Sequence, residues 1–393
     1  MVLQIFRGGS STPPETKASA TAPLVQFHGS GRAIWSGRDT GSLVRNGFSG
    51  NPVGFRCVKM IAEAAAAIPM VLQDEERRYE SHPLLDLMRR PNETDGTSDL
   101  FEQFFGQLIL TGDAYLEAAG LDLASGSPSQ LYVLRSDRMR VVPGSDGWPV
   151  AYEYAVGSKK VRFDTQGELS PILHLKSFHP QDDHNGFSPL QAAAAALDVH
   201  NSASSWTKAL LDNAARPSGA IIYKGSDGMG SLATDQYSRL IGELETHHMG
   251  ARNAGRPMLL EGGLDWKPMG FSPSDMEFHK TKEAAAREIA LAFGVPPMLL
   301  GLPGDNTYSN YQEANRAFYR LTVLPLVSKV ASGLSNWLGA WFEPGLQLKA
   351  DLDNVPALTA ERDAQWKRIA GAEFLTQSEK RSMLGLPKLA EDE

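Results

Sequence analysis

SPLQAAAAALDVHNSASSWTKALLDN, residues 188–213, is the stretch on which the reading of this chain turns. Ser188 supplies a capping hydroxyl and Pro189 takes the first helical position, where its missing N–H costs nothing. At 1.5 Å per residue the predicted helix is roughly 40 Å long, long for a globular protein. Its body, Gln191 and the alanines Ala192 to Ala196, then Leu197, Ala203, Trp206 and Leu210, is rich in small residues and lets another helix approach closely. A second long helix is predicted from Ser274, at capping-box spacing from Glu277, to Phe293, where Gly294 can turn left-handed. Between the two lies an insert: a strand at Ala220-Ile221-Ile222-Tyr223, a helix around Gln236 to His247, and strands Met258-Leu259-Leu260 and Leu264-Asp265-Trp266 joined through Gly262-Gly263.

After Gly294-Val295-Pro296-Pro297, the run Gly301-Leu302-Pro303-Gly304-Asp305-Asn306-Thr307-Tyr308 is too rich in Gly and Pro for helix or strand. A third long helix starts at Ser309, with Gln312 completing a capping box, and runs to about Phe342. Pro325 inside it removes a donor and crowds the preceding turn, which predicts a kink or break between Leu321 and Pro325. The residues beyond 350, with Leu358, Ile369, Phe374 and Leu384 among many charges, read as small helices forming a terminal cap.

Upstream, Val53, Cys57, Met60, Ala64 and Ala67 form a helical stripe that Pro69 ends, ahead of a short strand at Met70-Val71-Leu72. Residues 81–111 read as two helices broken at Arg90-Pro91-Asn92, because the residue before a proline is pushed out of the helical region. The period then shortens. Tyr115 to Glu117, Leu131 to Leu134, Arg138 to Val142, Val150 to Tyr154 and Ile172 to Leu175 are short, branched or aromatic, and separated by turn residues. The fold class is α+β and mainly antiparallel, without the strand–helix alternation of a doubly wound sheet. Residues 8–25 are Ser/Thr/Pro/Ala-rich and aperiodic, the composition of a flexible arm.

With 393 residues and 42% hydrophobic content, the chain has room for two or three structural units. The net charge of −8 argues against a protein that grips phosphates, since that affinity comes from clustered Lys and Arg. It does not exclude a protein that surrounds DNA and lets it slide. The single cysteine, Cys57, and a start without a charged-then-apolar leader point to a reducing, cytosolic setting with no membrane span.

Catalytic candidates each have a plainer reading. His247 and His248 are adjacent, so on a helix they point about 100° apart and cannot share a metal. Asp182-Asp183-His184 could hold a cation for a metal-dependent hydrolase, but reads as a polar loop ahead of Ser188. Gly225-Ser226-Asp227-Gly228-Met229-Gly230 lacks the Gly-Lys-Ser/Thr of a phosphate loop. Asn92-Glu93-Thr94 is a glycosylation sequon without a secretory context, and Cys57 lies on an apolar helix face. No cofactor, metal or catalytic residue is assigned, and the chain reads as structural.

An ordered set of short motifs carries a resemblance. His82-Pro83-Leu84-Leu85, Arg90-Pro91-Asn92, Leu110-Thr111-Gly112-Asp113-Ala114-Tyr115 and Leu131-Tyr132-Val133-Leu134 are followed by Gly186-Phe187-Ser188-Pro189-Leu190, Ala292-Phe293-Gly294-Val295-Pro296-Pro297 and Tyr308-Ser309-Asn310-Tyr311. Over about residues 45–345 the chain resembles the short portal proteins of long-tailed bacteriophages, and is also similar to portals of bacterial gene-transfer particles. Asp113 stands where that family more often has Asn.

The resemblance implies a homo-oligomeric ring, a dodecamer, at one vertex of the capsid, through which double-stranded DNA is packaged and ejected. It implies the terminase large subunit, the head-tail adaptor and the major capsid protein as partners, and assembly in the host bacterial cytoplasm. Its parts would be an arm (1–25), a wing (26–185), a first stem helix (186–215), a clip (216–272), a second stem helix (273–295), a tunnel loop (296–309), a kinked wing helix (310–350) and a crown (351–393). Asp305, Asn306, Thr307 and Tyr308 in the tunnel loop would then face the DNA channel, a polar tip able to brush phosphates without holding them. Another virion protein, an adaptor or capsid subunit, is the alternative of the same structural character.

Overall fold

The structure, a computed structural model, describes residues 35–121, 126–167, 169–212, 219–223, 234–247, 264–268, 278–302 and 308–387. The expected arm, residues 1–25, lies outside the described residues. The elements below all belong to the unit Ser36–Glu393.

Helix α1 (Thr40–Val44) runs through a π-turn, Arg45–Ser49, toward α2 (Pro52–Ala66). Asn51 starts α2: its Oδ1 accepts from Val53 N and Gly54 N, and Pro52 follows it. The buried face is Gly54, Cys57, Val58, Ile61, Ala62 and Ala65, so the helix is rotated from the expected stripe and Ala67 is exposed. The cause is Gly54, where an added Cβ would stand 2.0 Å from Gly47 O. The side of α2 without a side chain is the side pressed onto the π-turn.

Strands β1 (Met70–Gln73) and β2 (Arg78–Tyr79) precede α3 (Pro83–Arg89) and α4 (Thr97–Thr111). The break between these helices falls where Pro91 predicted it. There Asn92 Oδ1 accepts from Thr94 N and Asp95 N, while its Nδ2 donates to Leu131 O. Next come β3 (Asp113–Leu121), β4 (Pro128–Leu134), β5 (Met139–Pro143), β6 (Pro149–Val156), β7 (Lys159–Asp164) and β8 (Ile172–Lys176), in two antiparallel sheets ordered β4-β3-β8 and β5-β6-β7. Strand β7, KKVRFD, was not anticipated: it is an almost wholly exposed edge whose apolar alternation is limited to Val161 and Phe163.

The helix expected from Ser188 is two pieces, α5 (Pro189–Ala192) and α6 (Ala194–Asp212), parted by a single turn residue at Ala193 that no sequence signal marks. The insert contains β9 (Gly219–Tyr223), α7 (Thr234–His247) and β10 (Leu264–Pro268), with β9 and β10 paired antiparallel. The expected strand Met258-Leu259-Leu260 lies outside the described residues, as does Ser274. The second long helix is described as α8 (Phe278–Ala292), followed by Gly294 at φ +67°.

A 3-10 turn occupies Pro297–Leu300, and α9 (Tyr308–Phe318) begins one residue before Ser309. The expected kink is a π-turn, Tyr319–Val323, leading into α10 (Leu324–Trp341). Leu324 N–H reaches back to Tyr319 O, and the widened turn comes just before Pro325, which has no N–H to continue the ordinary pattern. Strand β11 (Gln347–Ala350), also unanticipated, pairs with β1 to complete a sheet ordered β11-β1-β2.

Helices α11 (Thr359–Ala370) and α12 (Gln377–Met383) end the described chain. Leu358 and Ile369 are buried as expected of a cap, but Phe374 is 87% exposed: it sits on the turn between the two helices, with no element over it. The main core gathers Leu100, Phe104, Phe105 and Leu108 of α4, the inner face of α2, and Val327, Val330, Leu334 and Leu338 of α10.

Candidate functional site

The paired helices start from a junction of several bonds. Ser188 Oγ accepts from Leu190 N at 3.0 Å, and Gln191 Oε1 accepts from Ser188 N at 3.3 Å, which completes a capping box. The same hydroxyl donates to the end of α4, with Leu110 O at 2.8 Å and Ile109 O at 3.1 Å. Two residues upstream, Gly186 lies against Gly112, the left-handed C-cap of α4 at φ +84°. A Cβ on Gly186 would stand 1.9 Å from Gly112 O, so only glycine fits.

The Asp113 carboxylate accepts Gly186 N–H on both oxygens, at 2.9 and 3.0 Å, and His174 Nε2–H on Oδ1 at 2.8 Å. His174 stacks on Tyr115, centroids 4.2 Å apart, and its Nδ1 faces Tyr152 Oη at 3.4 Å. The proton assignment follows from the network: a carboxylate can only accept, so Nε2 carries the hydrogen and Nδ1 is left for the phenol. Burial pushes the Tyr152 phenol up to about 12 and Tyr115 higher still, so both remain neutral donors. Sequence reading missed this cluster. Its signal, His174 directly opposite Tyr115 in the β3–β8 register, needs the pairing of strands far apart in the chain.

Beyond the junction, α6 and α8 pack on each other. Ala193 with Ala194, Ala196, Leu197 and Ala203 of α6, and Ala285, Ala286, Ile289 and Ala290 of α8, are all buried. The preceding segment straps α6 down. Asn51 Nδ2 lies 2.8 Å from Asn201 Oδ1 and 3.1 Å from His200 Nδ1, Asn201 Nδ2 donates to Asn46 O, and Ser36 N donates to Asp198 Oδ2. Desolvation first, and then the Lys282 ammonium of α8, hold His200 below its usual range.

The residues singled out from sequence end in separate places. Asp305, Asn306 and Thr307 lie outside the described residues, and Tyr308 is the first residue of α9. Asp182 binds its own loop, accepting from His184 N, Asn185 N and Asn185 Nδ2. Among the described residues no group of His, Cys, Asp and Glu is placed to hold a metal. His247 closes α7, while His248 and residues 225–230 lie outside the described residues. Asn92 is buried and bonded on both sides of its amide, and Cys57 is fully buried, its thiol pushed up to about 12 by desolvation. No helix among the described residues is long and apolar enough to cross a membrane.

The sequence model of the family described as phage portal protein matches residues 52–385. An uncharacterized protein of Rickettsia bellii is 42% identical over 343 residues, covering 86% of this chain and 87% of its own. The portal protein of Enterobacteria phage HK97 is 27% identical over 347 residues, covering 85% and 78%. A chain in the neck of a native gene transfer agent particle, solved with C12 symmetry, is 66% identical, with a TM-score of 0.71 over 92% of this chain and 97% of that one.

Proposed function

The chain belongs to the phage portal protein family, and on that premise we propose how its parts divide the work of a portal subunit. It is a structural, non-catalytic protein of the virion, one subunit of the ring at a capsid vertex. The particle it serves is a gene-transfer particle or the phage from which such particles derive, and the ring holds twelve copies, as the C12 symmetry of the similar neck suggests. A heterologous interface closes into such a ring when its rotation is an integral fraction of a turn.

The observation that carries the division of labour is the pair α6 and α8, packed through alanine-rich faces and flanking the small β9–β10 sheet. These helices are the stem. The insert 216–272 is the clip, which docks the terminase large subunit during packaging and the head-tail adaptor afterwards. Residues 296–309 form the tunnel loop, with Asp305, Asn306, Thr307 and Tyr308 toward double-stranded DNA. The β-rich region and α10 form the wing against the major capsid protein, and residues 351–393 the crown. Assembly takes place in the host bacterial cytoplasm, and the subunit conducts DNA passively while ATP is hydrolysed in the motor.

End-on electron microscopy of the purified chain tests the reading. Rings of about twelve subunits with a central channel are expected from closed heterologous contacts. Persistent monomers at high concentration, without rings in any condition, would sink it.

A further inference from the structure

We propose that Asp113 is a positioning residue for the portal ring, fixing through Gly186 the point and angle at which the first stem helix leaves the β3–β8 sheet. The inference rests on the portal reading for its consequence, although the junction itself is independent of it.

Three features support it. First, the carboxylate is aimed. Both oxygens lie on one backbone donor, Gly186 N, at 2.9 and 3.0 Å, two residues before the helix cap, and Oδ1 also takes His174 Nε2–H. Second, the pair is deeply buried, with side chains 9% exposed at Asp113 and 7% at His174, so water cannot replace either partner. Third, the carboxylate acts upstream of the other ties: Ser188 Oγ holds the cap to Leu110 O and Ile109 O, and Asn51 and Ser36 hold α6 further along, while Asp113 fixes the backbone that enters the cap. Ser177 N donates to Gly112 O at 2.7 Å, and the two glycine backbones touch without side chains that could resist rotation. The Asp113 carboxylate is the buried side chain that runs from the sheet to Gly186, beside the exposed Lys176 Nζ that reaches Asp183 O.

Direction matters because α6 is a lever. Its 19 residues extend about 28 Å, so each degree of tilt at the base displaces the far end by about 0.5 Å. In a closed ring the same error recurs at every subunit, and closure tolerates only what the sum of the interfaces can absorb. Slack at the junction therefore reads out as failure to close.

Substitution separates this role from simple stability. In Asp113→Asn the amide oxygen can still accept Gly186 N–H, while Nδ2 donates to His174 Nε2. The imidazole then carries its proton on Nδ1 and donates to Tyr152 Oη. Asp113→Ala removes the acceptor of Gly186 N–H and of His174 Nε2–H.

The experiment compares wild type, Asp113→Asn, Asp113→Ala and a remote core variant, Leu84→Ala, with denaturant adjusted so that all are equally folded. Closed rings are counted by mass photometry, and imidazole nitrogen shifts report the His174 tautomer. We expect at least a tenfold loss of rings in Asp113→Ala, less than twofold in Asp113→Asn with a switch from Nε2–H to Nδ1–H, and little loss in Leu84→Ala. Full ring yield in Asp113→Ala, or an equal loss in Leu84→Ala, overturns the proposal. If wild type forms no rings, the portal reading fails, and amide exchange on the lone subunit still tests the junction. The Gly186 amide should exchange at least tenfold faster in Asp113→Ala and within threefold of wild type in Asp113→Asn; an unchanged rate in Asp113→Ala overturns it.

Discussion

Asp182 shows at the scale of one residue how a polar cluster that could be a metal site is used locally. Its Oδ1 accepts from His184 N at 2.7 Å and Asn185 N at 3.0 Å, and its Oδ2 from Asn185 Nδ2 at 2.9 Å. The Asn185 side chain first, then the backbone donors, hold its carboxyl down at about 2. The folded value lies below the unfolded one of about 3.9, so the ionised group contributes stability above that pH and loses it as pH falls through the folded value. Urea midpoints of wild type and Asp182→Ala should differ most at pH 6 and draw together as pH falls toward the folded value. A difference as large near that value as at pH 6 would contradict this origin. Asn92 follows the same logic: Thr94, which completes a sequon on paper, donates its N–H and its hydroxyl to Asn92 Oδ1 and so belongs to a buried turn.

Among the elements, α5 depends on one hydroxyl. Ser188 caps the helix and also ties it to two carbonyls of α4, so Ser188→Ala loses a cap and a buried bond together. The expected cost is about 1–3 kcal/mol, read from chemical denaturation, with Ser188→Thr largely restoring it. A cost within about 0.3 kcal/mol of zero would mean that the tie to α4 carries nothing, since caps alone are worth more. The long wing helix illustrates a second element-scale rule. Pro325 announced an irregularity, but its form, a π-turn that keeps the chain helical from α9 into α10, depends on what α10 packs against. Val323 and Val327 are both fully buried, so the turn and α10 continue one apolar face into the core, which Phe318 at the end of α9 joins.

For the whole molecule, the net charge of −8 is the property that bears on the proposed passage of DNA. Phosphate affinity falls steeply with salt and requires clustered cations. Purified subunits should therefore leave a duplex unshifted in a gel at an ionic strength of about 0.15 M. A sharp shift with a strong salt slope would place a cationic DNA site on the ring that this charge balance does not suggest.

The sequence by itself determined the elements whose signals are local. Ser188 with Pro189, the break at Pro91 and the irregularity before Pro325 were legible because capping and breaking are decided by backbone hydrogen bonds within a few residues. The ordered motifs from His82 to Tyr311 were legible through their resemblance to a known family, which the match over residues 52–385 bears out. Only the tertiary structure decided which surfaces meet. It paired Met70 with Ala350, so that a four-residue strand too short to show a period became the edge of a sheet. It turned α2 by way of a glycine contact, and it brought His174 onto Asp113 across a strand register, 61 positions apart in sequence. Such contacts depend on burial shared between distant segments. No local pattern encodes them, and the junction that carries the stem is built from them.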